Sequence, residues 1–309
     1  MTISKPKFWD KKIGYLSYLL FPFSLTYIFL NFLKKKLTIA NRFKIPIICI
    51  GNIYVGGTGK TPTSILLANE LTKIGRQTVI LKKFYKSHAD EYKLINNNFK
   101  NLITSNNRVD GLKEAEKSKF DVVILDDGLQ DYSIGKDLNI ICFNQNQLIG
   151  NGLVMPSGPL RENLSALKKA QIIIINGYKD KNFEKKILDI NNKLEIFYSS
   201  YKPMNLEEFK NRKLLAIAGI GNPENFFKLI EENNLKIEKR LVFPDHHIFS
   251  EKEIRNIINN AEENNYQIIM TEKDYYKINH YNFKMIKYLR VSLDIVEKEK
   301  LLNRVNTFI

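Results

Sequence analysis

A glycine-rich stretch of the chain carries a lysine and a threonine at the spacing used by phosphate-binding loops. It reads Tyr54-Val55-Gly56-Gly57-Thr58-Gly59-Lys60-Thr61. Glycines let backbone N–H groups turn toward phosphate oxygens, and the start of a following helix adds a partial positive charge. In such a loop Lys60 reaches the β- and γ-phosphates and the Thr61 hydroxyl ligates Mg²⁺. The stretch is therefore predicted to bind ATP, with Mg²⁺ as the second cofactor.

The segments on both sides of this loop fit that prediction. The apolar, β-branched run 45–54 indicates a buried strand, and the apolar spacing from Ile65 to Leu71 indicates a helix. This order favours a phosphate-binding loop over the alternative, a glycine-rich turn with a chance Gly-Lys-Thr. One position departs from the strict pattern, because Tyr54 stands five places before Gly59, where a glycine is expected.

A second chemical signal is an apolar run that ends in two carboxylates. Residues 121–125 are followed by Asp126-Asp127-Gly128. A carboxylate at such a strand end can organise Mg²⁺ beside the loop, although aspartates also end strands for turn geometry alone. Further apolar runs at 77–81, 138–143 and 172–175 alternate with helical patterns. The alternation predicts an α/β fold with a mostly parallel sheet.

A new pattern begins near Lys213. The run 214–220 indicates a strand, a Gly-Asn-Pro turn follows, and the spacing from Phe226 to Ile230 indicates a helix. Further strands are predicted at 236–243, 267–270 and 288–293. The chain is thus divided into a helical segment at 1–36, a P-loop core at 37–212 and a smaller α/β domain at 213–309.

The segment from Ile13 to Leu33 contains no charged residue and is long enough to span a membrane. Pro22 is expected to kink or break a helix there, and Ser17, Ser24 and Asn31 recur at heptad spacing as a polar seam. Lysines flank both ends, so the positive-inside bias has no direction. We favour a broken helix that lies on the cytoplasmic face of a membrane. A true span and a soluble core helix are the alternatives, and a cleaved signal peptide is not expected.

The formal net charge of the 309-residue chain is +15, mainly from lysine. Such a charge attracts nucleic acid, an anionic membrane surface or a phosphorylated substrate, although genome-wide lysine and asparagine enrichment gives the same bias. Neither an aromatic ribonucleoprotein motif nor a zinc-ligand spacing accompanies it. Nucleic acid is therefore not an expected partner.

The two cysteines both lie in apolar runs. Cys49 is within Ile47-Ile48-Cys49-Ile50 and Cys142 within Ile140-Ile141-Cys142-Phe143. This setting is typical of buried strand cysteines rather than of a disulfide or a metal site, and it fits a reducing cytosol.

Six blocks, in order along almost the whole chain, resemble the tetraacyldisaccharide 4′-kinases of lipid A biosynthesis. The blocks are Gly51-Asn52 with Val55 to Pro62, Asp126-Asp127-Gly128-Leu129-Gln130, Gly150 to Gly152 with Pro156 to Glu162, Gly221-Asn222-Pro223, Phe243 to Phe249, and Thr271-Glu272-Lys273-Asp274. The resemblance implies a P-loop kinase that uses ATP to phosphorylate the 4′-hydroxyl of an acylated glucosamine disaccharide 1-phosphate. It also implies that the protein acts at the cytoplasmic face of the bacterial inner membrane, as a peripheral or monotopic protein without an obligate protein partner.

The chain departs from the family pattern at three places. Lys82-Lys83-Phe84-Tyr85 stands where the family usually has Ser-Arg-Gly-Tyr. Ala89-Asp90-Glu91-Tyr92 stands in place of Gly-Asp-Glu-Pro, and Asp131 replaces a histidine common after the glutamine. Asp90 and Glu91 match the acidic pair of the family pattern, but the residues on either side of them differ.

The resemblance also implies residue roles. Asp90 is predicted as the base that accepts the sugar hydroxyl proton, and His246 as the residue that pairs with it. Glu91 and Asp126 are expected to organise Mg²⁺ with Thr61, while Arg161 stabilises charge on the transferring phosphoryl group. Asp127 and Gln130 are predicted substrate contacts. Lys60, His246, Asp90 and Arg161 form the predicted catalytic set.

Each assignment has a plainer alternative from the residues alone. Asp90 and Glu91 could lie in a solvated loop. His246 and His247 could be a metal pair, but adjacent side chains point apart in an extended chain and a third ligand is lacking. Asp245 could merely cap the following helix or turn, and Arg161 could be a structural salt-bridge partner of the neighbours of Glu162. Residues 272–274 could be only a charged helix start.

Two other protein classes compete with the kinase. A P-loop ATPase of the partitioning or metal-chaperone type shares the glycine loop, but it leaves the proline-rich and Asp-His-His blocks without a role. A non-catalytic membrane-binding protein that uses nucleotide only for shape predicts binding without turnover.

Overall fold

The computed structural model describes residues 6–245 and 247–309. The α-helices are α1 (Tyr15–Leu37), α2 (Lys60–Lys73), α3 (Ala89–Asn98), α4 (Arg108–Lys117), α5 (Lys181–Leu188), α6 (Pro223–Glu232), α7 (Glu251–Glu263), α8 (Glu272–Ile278) and α9 (Lys298–Asn306). The strands are β1 (Ile47–Gly51), β2 (Thr78–Lys83), β3 (Leu102–Ser105), β4 (Val122–Asp126), β5 (Leu138–Asn144), β6 (Ile172–Asn176), β7 (Glu195–Pro203), β8 (Leu214–Ala218), β9 (Ile237–Val242), β10 (Gln267–Thr271), β11 (Ile286–Leu289) and β12 (Val291–Ile295). Short 3₁₀ helices lie at Lys7–Asp10, Lys86–His88, Leu164–Lys169, Leu206–Phe209 and Asn279–Tyr281.

The larger sheet has the strand order β12-β7-β6-β5-β1-β4-β2-β3. Neighbouring strands from β7 to β3 run parallel, and the central β1 pairs Ile48 with both Ile124 of β4 and Leu138 of β5. All five residues of β1 are buried, as expected for a parallel sheet covered on both faces. The predicted α/β fold with a mostly parallel sheet is confirmed.

The two cysteines lie in this sheet as predicted. Cys49 on β1 and Cys142 on β5 are buried and unbridged. Burial raises the pKa of the Cys142 thiol to about 12, so this side chain acts as a small apolar group.

The smaller sheet has the order β11-β10-β8-β9, and its neighbouring strands run parallel. One face packs against Phe227 and Ile230 of α6. The other face packs against Ile254 and Ile257 of α7. A second α/β arrangement was predicted from about residue 213, and β8, α6, β9 and β10 lie where the apolar runs indicated.

One strand prediction was wrong. The run 288–293 was expected to be a single strand, but β11 ends at Leu289 in the smaller sheet and β12 begins at Val291 in the larger one. The Arg290 backbone N–H donates to Asn205 Oδ1 at 2.8 Å, so this residue does not continue a ladder. Both halves of the run are apolar, and hydrophobic periodicity cannot assign them to different sheets.

The chain divides into two compact units. The larger one contains the described residues 6–84, 99–200 and 294–309, and the smaller one contains Tyr85–Asn98 and Tyr201–Leu293. This division does not follow the expected boundaries at 36 and 212. The reason is packing: α3 lies against α8, whereas α9 buries Leu301 and Val305 in the larger unit and places Arg304 Nε 2.5 Å from Glu195 Oε1.

The amino-terminal helix α1 is continuous from Tyr15 to Leu37, so the expectation that Pro22 breaks it was wrong. Proline removes one backbone donor, and a single lost bond is tolerated when the rest of the helix is supported. The Thr26 hydroxyl donates to the Pro22 carbonyl at 3.2 Å.

The two serines of the predicted polar seam of α1 face the protein. Ser17 and Ser24 are buried, and the Ser24 hydroxyl donates to the Val154 carbonyl at 2.8 Å while accepting from the Ser157 N–H at 3.0 Å. Asn151 Nδ2 donates to Ser17 Oγ at 3.2 Å. The helix is long and apolar enough to cross a membrane by length and composition. Its large side chains are mostly exposed: Tyr15, Leu16, Tyr18, Leu19, Phe21, Phe23, Leu25, Phe29, Leu30 and Phe32.

Replacing Ser24 by alanine is expected to loosen α1 from the 154–157 segment. The change strands the buried Ser157 N–H, which costs about 1–3 kcal/mol. The single tryptophan reports on this region, because Trp9 Nε1 donates to the Pro156 carbonyl at 2.9 Å. In detergent, the urea midpoint of the Trp9 fluorescence transition should fall in Ser24→Ala. The exposed Thr26→Ala serves as the control and should leave it in place. Equal midpoints for both variants would remove the seam as the attachment of α1.

Candidate nucleotide site and acidic cluster

The glycine loop joins the end of β1 to the start of α2. Gly56 and Gly59 have φ values of +127° and +89°, which favour glycine and let the backbone turn sharply. The Asn52 side chain stabilises the loop conformation, because its Nδ2 donates to the Gly56 carbonyl at 3.2 Å and to Thr58 Oγ1 at 3.0 Å. The loop therefore opens onto the amino-terminal end of α2, where Lys60 and Thr61 begin the helix.

Tyr54 occupies the position of the missing glycine by turning its side chain into the core. The side chain is buried, and its hydroxyl donates to Asp10 Oδ1 at 2.6 Å. Burial and the Asp10 contact raise the pKa of this phenol well above its usual range. The next residue, Val55, donates its N–H to the Pro159 carbonyl at 2.9 Å. Tyr54 thus anchors the loop to the 3₁₀ helix at Lys7–Asp10.

Asp126, at the end of β4, is fully buried and accepts hydrogen bonds from two hydroxyl groups of α2. Its Oδ2 accepts from the Thr61 hydroxyl at 2.9 Å, and its Oδ1 accepts from the Ser64 hydroxyl at 3.2 Å. The Lys82 ammonium forms an ion pair with Oδ2. Lys82 is directly opposite Asp126 in the β2–β4 register, so the sheet itself brings the two charges together.

Asp127, one residue further on, gathers a different pair of cations. Its backbone φ is +60°, a conformation that aspartate tolerates better than most residues. Arg161 Nη1 lies 2.9 and 3.1 Å from the two carboxylate oxygens, and Lys60 Nζ lies 3.8 Å from Oδ1. Arg161 is brought there by the proline-rich loop, where its N–H donates to the Ile53 carbonyl at 2.7 Å. Arg161 is therefore an ion-pair partner of Asp127, not of a residue next to Glu162 as the plainer alternative had it.

The charges of this group follow from burial and proximity. Burial would raise the pKa of Asp127, but Lys60, Arg161 and Lys82 outweigh it and hold this pKa well below its usual range. Burial lowers the pKa of Lys60, because the 3.8 Å contact with Asp127 offsets only part of the lost hydration. An incoming phosphate would supply the negative charge that the Lys60 ammonium needs.

Gln130 and Asp131 brace the loops around the aspartates. Gln130 Nε2 donates to the Asn52 carbonyl at 2.9 Å, which ties the segment after β4 to the glycine loop. Asp131, which stands in place of a common histidine, lies 3.1 Å from Arg108 Nη1, and Arg108 Nη2 donates to the Asp127 carbonyl at 2.7 Å. The substrate role of Asp127 and Gln130 stays a prediction.

The donor set suits Mg²⁺ bound together with a nucleotide. Among residues 6–245 and 247–309, no three His, Cys, Asp or Glu side chains form a group that could hold a metal ion by themselves. Mg²⁺ in nucleotide sites takes one or two protein oxygens and completes its shell with phosphates and water. Thr61 Oγ1 and Asp126 Oδ2, 2.9 Å apart, are such a pair of oxygens. The second predicted carboxylate, Glu91, belongs to the smaller unit.

Asp90 and Glu91 begin α3 in the smaller unit. Asp90 is only 5% exposed, so the alternative of a solvated loop was wrong for this residue. Lys273 Nζ lies 3.8 Å from Asp90 Oδ2, 3.2 Å from Glu91 Oε1 and 3.1 Å from Asp245 Oδ1. Burial would lower the pKa of Lys273, but the three carboxylates raise it well above its usual range. Lys273 is thus a fixed cation that three acidic residues share.

The Thr271-Glu272-Lys273-Asp274 block is the start of helix α8, which agrees with the alternative of a charged helix start. Its polar side chains also make specific contacts. Thr271 caps α8 by accepting from the Asp274 N–H at 3.1 Å. The fully buried Asp274 carboxylate accepts from the Gly219 N–H at 2.7 Å and from Lys277 Nζ at 2.7 Å. Lys277 Nζ also lies 3.9 Å from Asp90 Oδ2. Two lysines one turn apart therefore face Asp90.

The histidine block is only partly described. His246, the predicted partner of Asp90, lies outside the described residues. His247 stacks on Phe243 with ring centroids 4.8 Å apart, and its Nε2 lies 3.0 Å from Glu253 Oε2. Asp245 does not cap α7, since Ser250 accepts from the Glu253 N–H there. The helix-cap part of that alternative was wrong.

Sequence reasoning assigned no role to three lysines. Lys82 belongs to the segment 82–85, which differs from the family pattern. Lys273 belongs to the 271–274 block, which resembles the family but suggested no role for this lysine. Lys277 follows Lys273 by four residues, the spacing at which two side chains share a helix face, and this spacing was the available signal.

The larger unit has the features of a P-loop nucleotide-binding protein: a strand, a glycine loop with two left-handed glycines, Lys-Thr at a helix start and a carboxylate on the neighbouring strand. Comparison with known proteins narrows this class. Residues 16–101 and 89–309 match the family described as tetraacyldisaccharide-1-P 4'-kinase. The chain belongs to this family.

Relatives and a solved structure agree with the match. A tetraacyldisaccharide 4'-kinase of Pelagibacter ubique strain HTCC1062 is 42% identical over 99% of this chain and 98% of its own length. A protein of the same name from Francisella tularensis subsp. novicida is 33% identical over 94% and 98%. The crystal structure of Aquifex aeolicus LpxK in complex with ATP superposes with a TM-score of 0.72, at 22% identity, covering 96% of this chain and 100% of that one. The likeness of this structure supports the fold.

Replacing Lys273 by methionine should destabilise the acidic cluster. The change leaves three carboxylates without their shared ammonium, and removing one partner of a buried ion pair costs about 3–5 kcal/mol. Hydrogen exchange of the α3 and α8 amides measures this as faster local opening. Lys273→Arg should restore most protection. Lys287→Met, which removes an exposed lysine 3.3 Å from Glu208 in the same unit, should change little. Unaltered exchange in Lys273→Met would show that the carboxylates do not depend on this lysine.

Proposed function

We propose that this protein transfers the γ-phosphoryl group of ATP to the 4′-hydroxyl of a tetraacyldisaccharide 1-phosphate. The product is the 4′-phosphorylated lipid A precursor, lipid IVA. The observation that carries the proposal is the convergence of Lys60, Arg161, Asp126 and Asp127 on the glycine loop. The names of relatives that align over nearly the full chain supply the acceptor.

The nucleotide is handled by the larger unit. The 54–61 loop and Lys60 hold the phosphates, and Thr61 with Asp126 holds Mg²⁺, which neutralises phosphate charge when bound. Glu91 is the second carboxylate proposed for the metal. Arg161, which pairs with Asp127 and is 27% exposed, stabilises charge on the transferring group. Phosphoryl transfer needs little else than positioning and charge neutralisation.

The acceptor hydroxyl is activated from the acidic cluster. Asp90 accepts the proton of the 4′-hydroxyl, and His246 orients Asp90. Two lysine ammoniums lie within 4 Å of the Asp90 carboxylate, which favours its ionised form, and an ionised carboxylate is the form that accepts a proton. Asp127 and Gln130, on the segment after β4, contact the substrate.

An ATPase of the partitioning or metal-chaperone type is the weaker assignment. The relatives align through the proline-rich loop and the Thr-Glu-Lys-Asp block as well as through the glycine loop. An ATPase that works on water has no use for those blocks.

The protein acts at a lipid surface, on the cytoplasmic face of the inner membrane. Helix α1 buries serines against the protein and exposes its apolar side chains, the reverse of a soluble amphipathic helix. Lys34, Lys35 and Lys36 close its last turn, where they can bind anionic headgroups. A helix attached along one side suits a peripheral or monotopic protein better than a free span.

The reaction is tested with labelled ATP and a purified tetraacyldisaccharide 1-phosphate in detergent. The wild-type protein should place label on the lipid, because the loop and acidic cluster are intact. Lys60→Ala and Asp90→Ala should each lower kcat by about 100-fold or more. Circular dichroism checks that both variants are folded. Labelled phosphate released to water, with none on the lipid, would favour the ATPase instead.

Membrane binding is tested by flotation with phosphatidylglycerol–phosphatidylethanolamine vesicles. Phe23→Asp with Phe29→Asp should weaken binding at least about tenfold, because each phenylalanine contributes about 1.5–3 kcal/mol when buried in lipid. The control is Tyr178→Asp, since Tyr178 is 67% exposed and lies outside α1. If the double variant floats like the control, the exposed face of α1 is not the membrane-binding surface.

A further inference from the structure

Lys82 is a buried cation at the proposed metal position. It is 5% exposed, and the fully buried Asp126 carboxylate forms an ion pair with its ammonium. A lysine that loses its hydration is tolerated only with a close counter-charge. The sheet register supplies it, because Lys82 on β2 and Asp126 on β4 are directly paired. The contact is therefore built into the strands rather than made by a mobile loop.

The ammonium lies on the oxygen that a metal ion needs. Asp126 Oδ2 accepts both the Lys82 ammonium and the Thr61 hydroxyl, the latter at 2.9 Å. The other oxygen, Oδ1, accepts from the Ser64 hydroxyl at 3.2 Å. Mg²⁺ ligands lie at about 2.0–2.1 Å. An ammonium and a divalent ion on the same carboxylate oxygen would repel each other strongly in a buried site.

Lys82 also changes the charge that a nucleotide meets. The three cations Lys60, Lys82 and Arg161 surround the two carboxylates Asp126 and Asp127. The formal charges of these five side chains sum to +1 without metal, and to zero if Lys82 is replaced by a neutral residue. Burial strengthens this difference, since charges away from water are weakly screened.

We propose that Lys82 is a resident counter-cation of the metal position, which competes with Mg²⁺ for Asp126 and allows ATP to bind before the metal. The inference rests on the proposed Mg²⁺–ATP site, and Lys82 is a positioning residue within it. In the metal-free protein Lys82 neutralises Asp126 and keeps the site attractive to phosphates. Mg²⁺ must displace the ammonium from Asp126, so a higher Mg²⁺ concentration is needed for saturation.

The test is equilibrium ATP binding to the full chain in detergent, measured by calorimetry in EDTA and over a Mg²⁺ titration. Lys82→Ser should weaken metal-free ATP binding about tenfold, since a positive charge has left the phosphate site. The same variant should need less Mg²⁺ for half-maximal tightening of ATP binding. Its melting temperature should fall in EDTA and recover with Mg²⁺, because the buried Asp126 carboxylate then regains a cation.

Matched variants make either result interpretable. Lys82→Gln, whose amide can still donate to Asp126, makes the same binding prediction if the serine variant does not fold. Lys298→Ser removes a lysine 3.4 Å from Glu70, which lies toward the other end of α2, and it should bind ATP and Mg²⁺ like the wild type. The proposal is overturned if the Lys82 variants keep both the metal-free ATP affinity and the Mg²⁺ requirement of the wild type. No sugar acceptor is present, so failure of the kinase assignment would be seen separately in lipid labelling.

Discussion

Two adjacent aspartates at the end of β4 must be neutralised, and the larger unit is arranged around that requirement. Asp126 is buried among Thr61, Ser64 and Lys82, whereas Asp127 adopts a left-handed backbone conformation and gathers Lys60 and Arg161. One carboxylate thus lies at the proposed metal position, and the other pairs with the cations proposed to bind phosphates. The division follows from the φ change between two neighbouring residues.

The elements that position these side chains were largely predictable. Apolar runs identify β1, β4 and β5 because a parallel sheet buries both faces, and the Gly-Lys-Thr spacing identifies the start of α2. The polar seam of α1 was visible in the serine spacing, and it faces the protein. These features are local, and periodicity or spacing of a few residues encodes them.

Features that depend on distant segments were not predictable from the same signals. Helix α1 continues through Pro22 and is attached to the 151–157 segment through Ser17 and Ser24. The run 288–293 divides between two sheets at Arg290, whose backbone N–H donates to Asn205. Tyr54 fills a glycine position with a buried side chain whose hydroxyl donates to the distant Asp10. Lys82 and Lys273 pair with carboxylates that are distant in the sequence, so no short motif predicts these contacts. The buried state of Asp90 depends in the same way on α8.

In the proposed site, Asp126 and Thr61 hold the metal while Lys60 and Arg161 hold the phosphates. The direct measurement is a crystal structure of the protein with Mg²⁺ and a non-hydrolysable ATP analogue. The account predicts a Mg²⁺ ion about 2.0–2.1 Å from an Asp126 carboxylate oxygen and from the Thr61 hydroxyl, with the phosphates over the 56–61 backbone. A metal ion that contacts neither residue, or phosphates bound away from that loop, would contradict it.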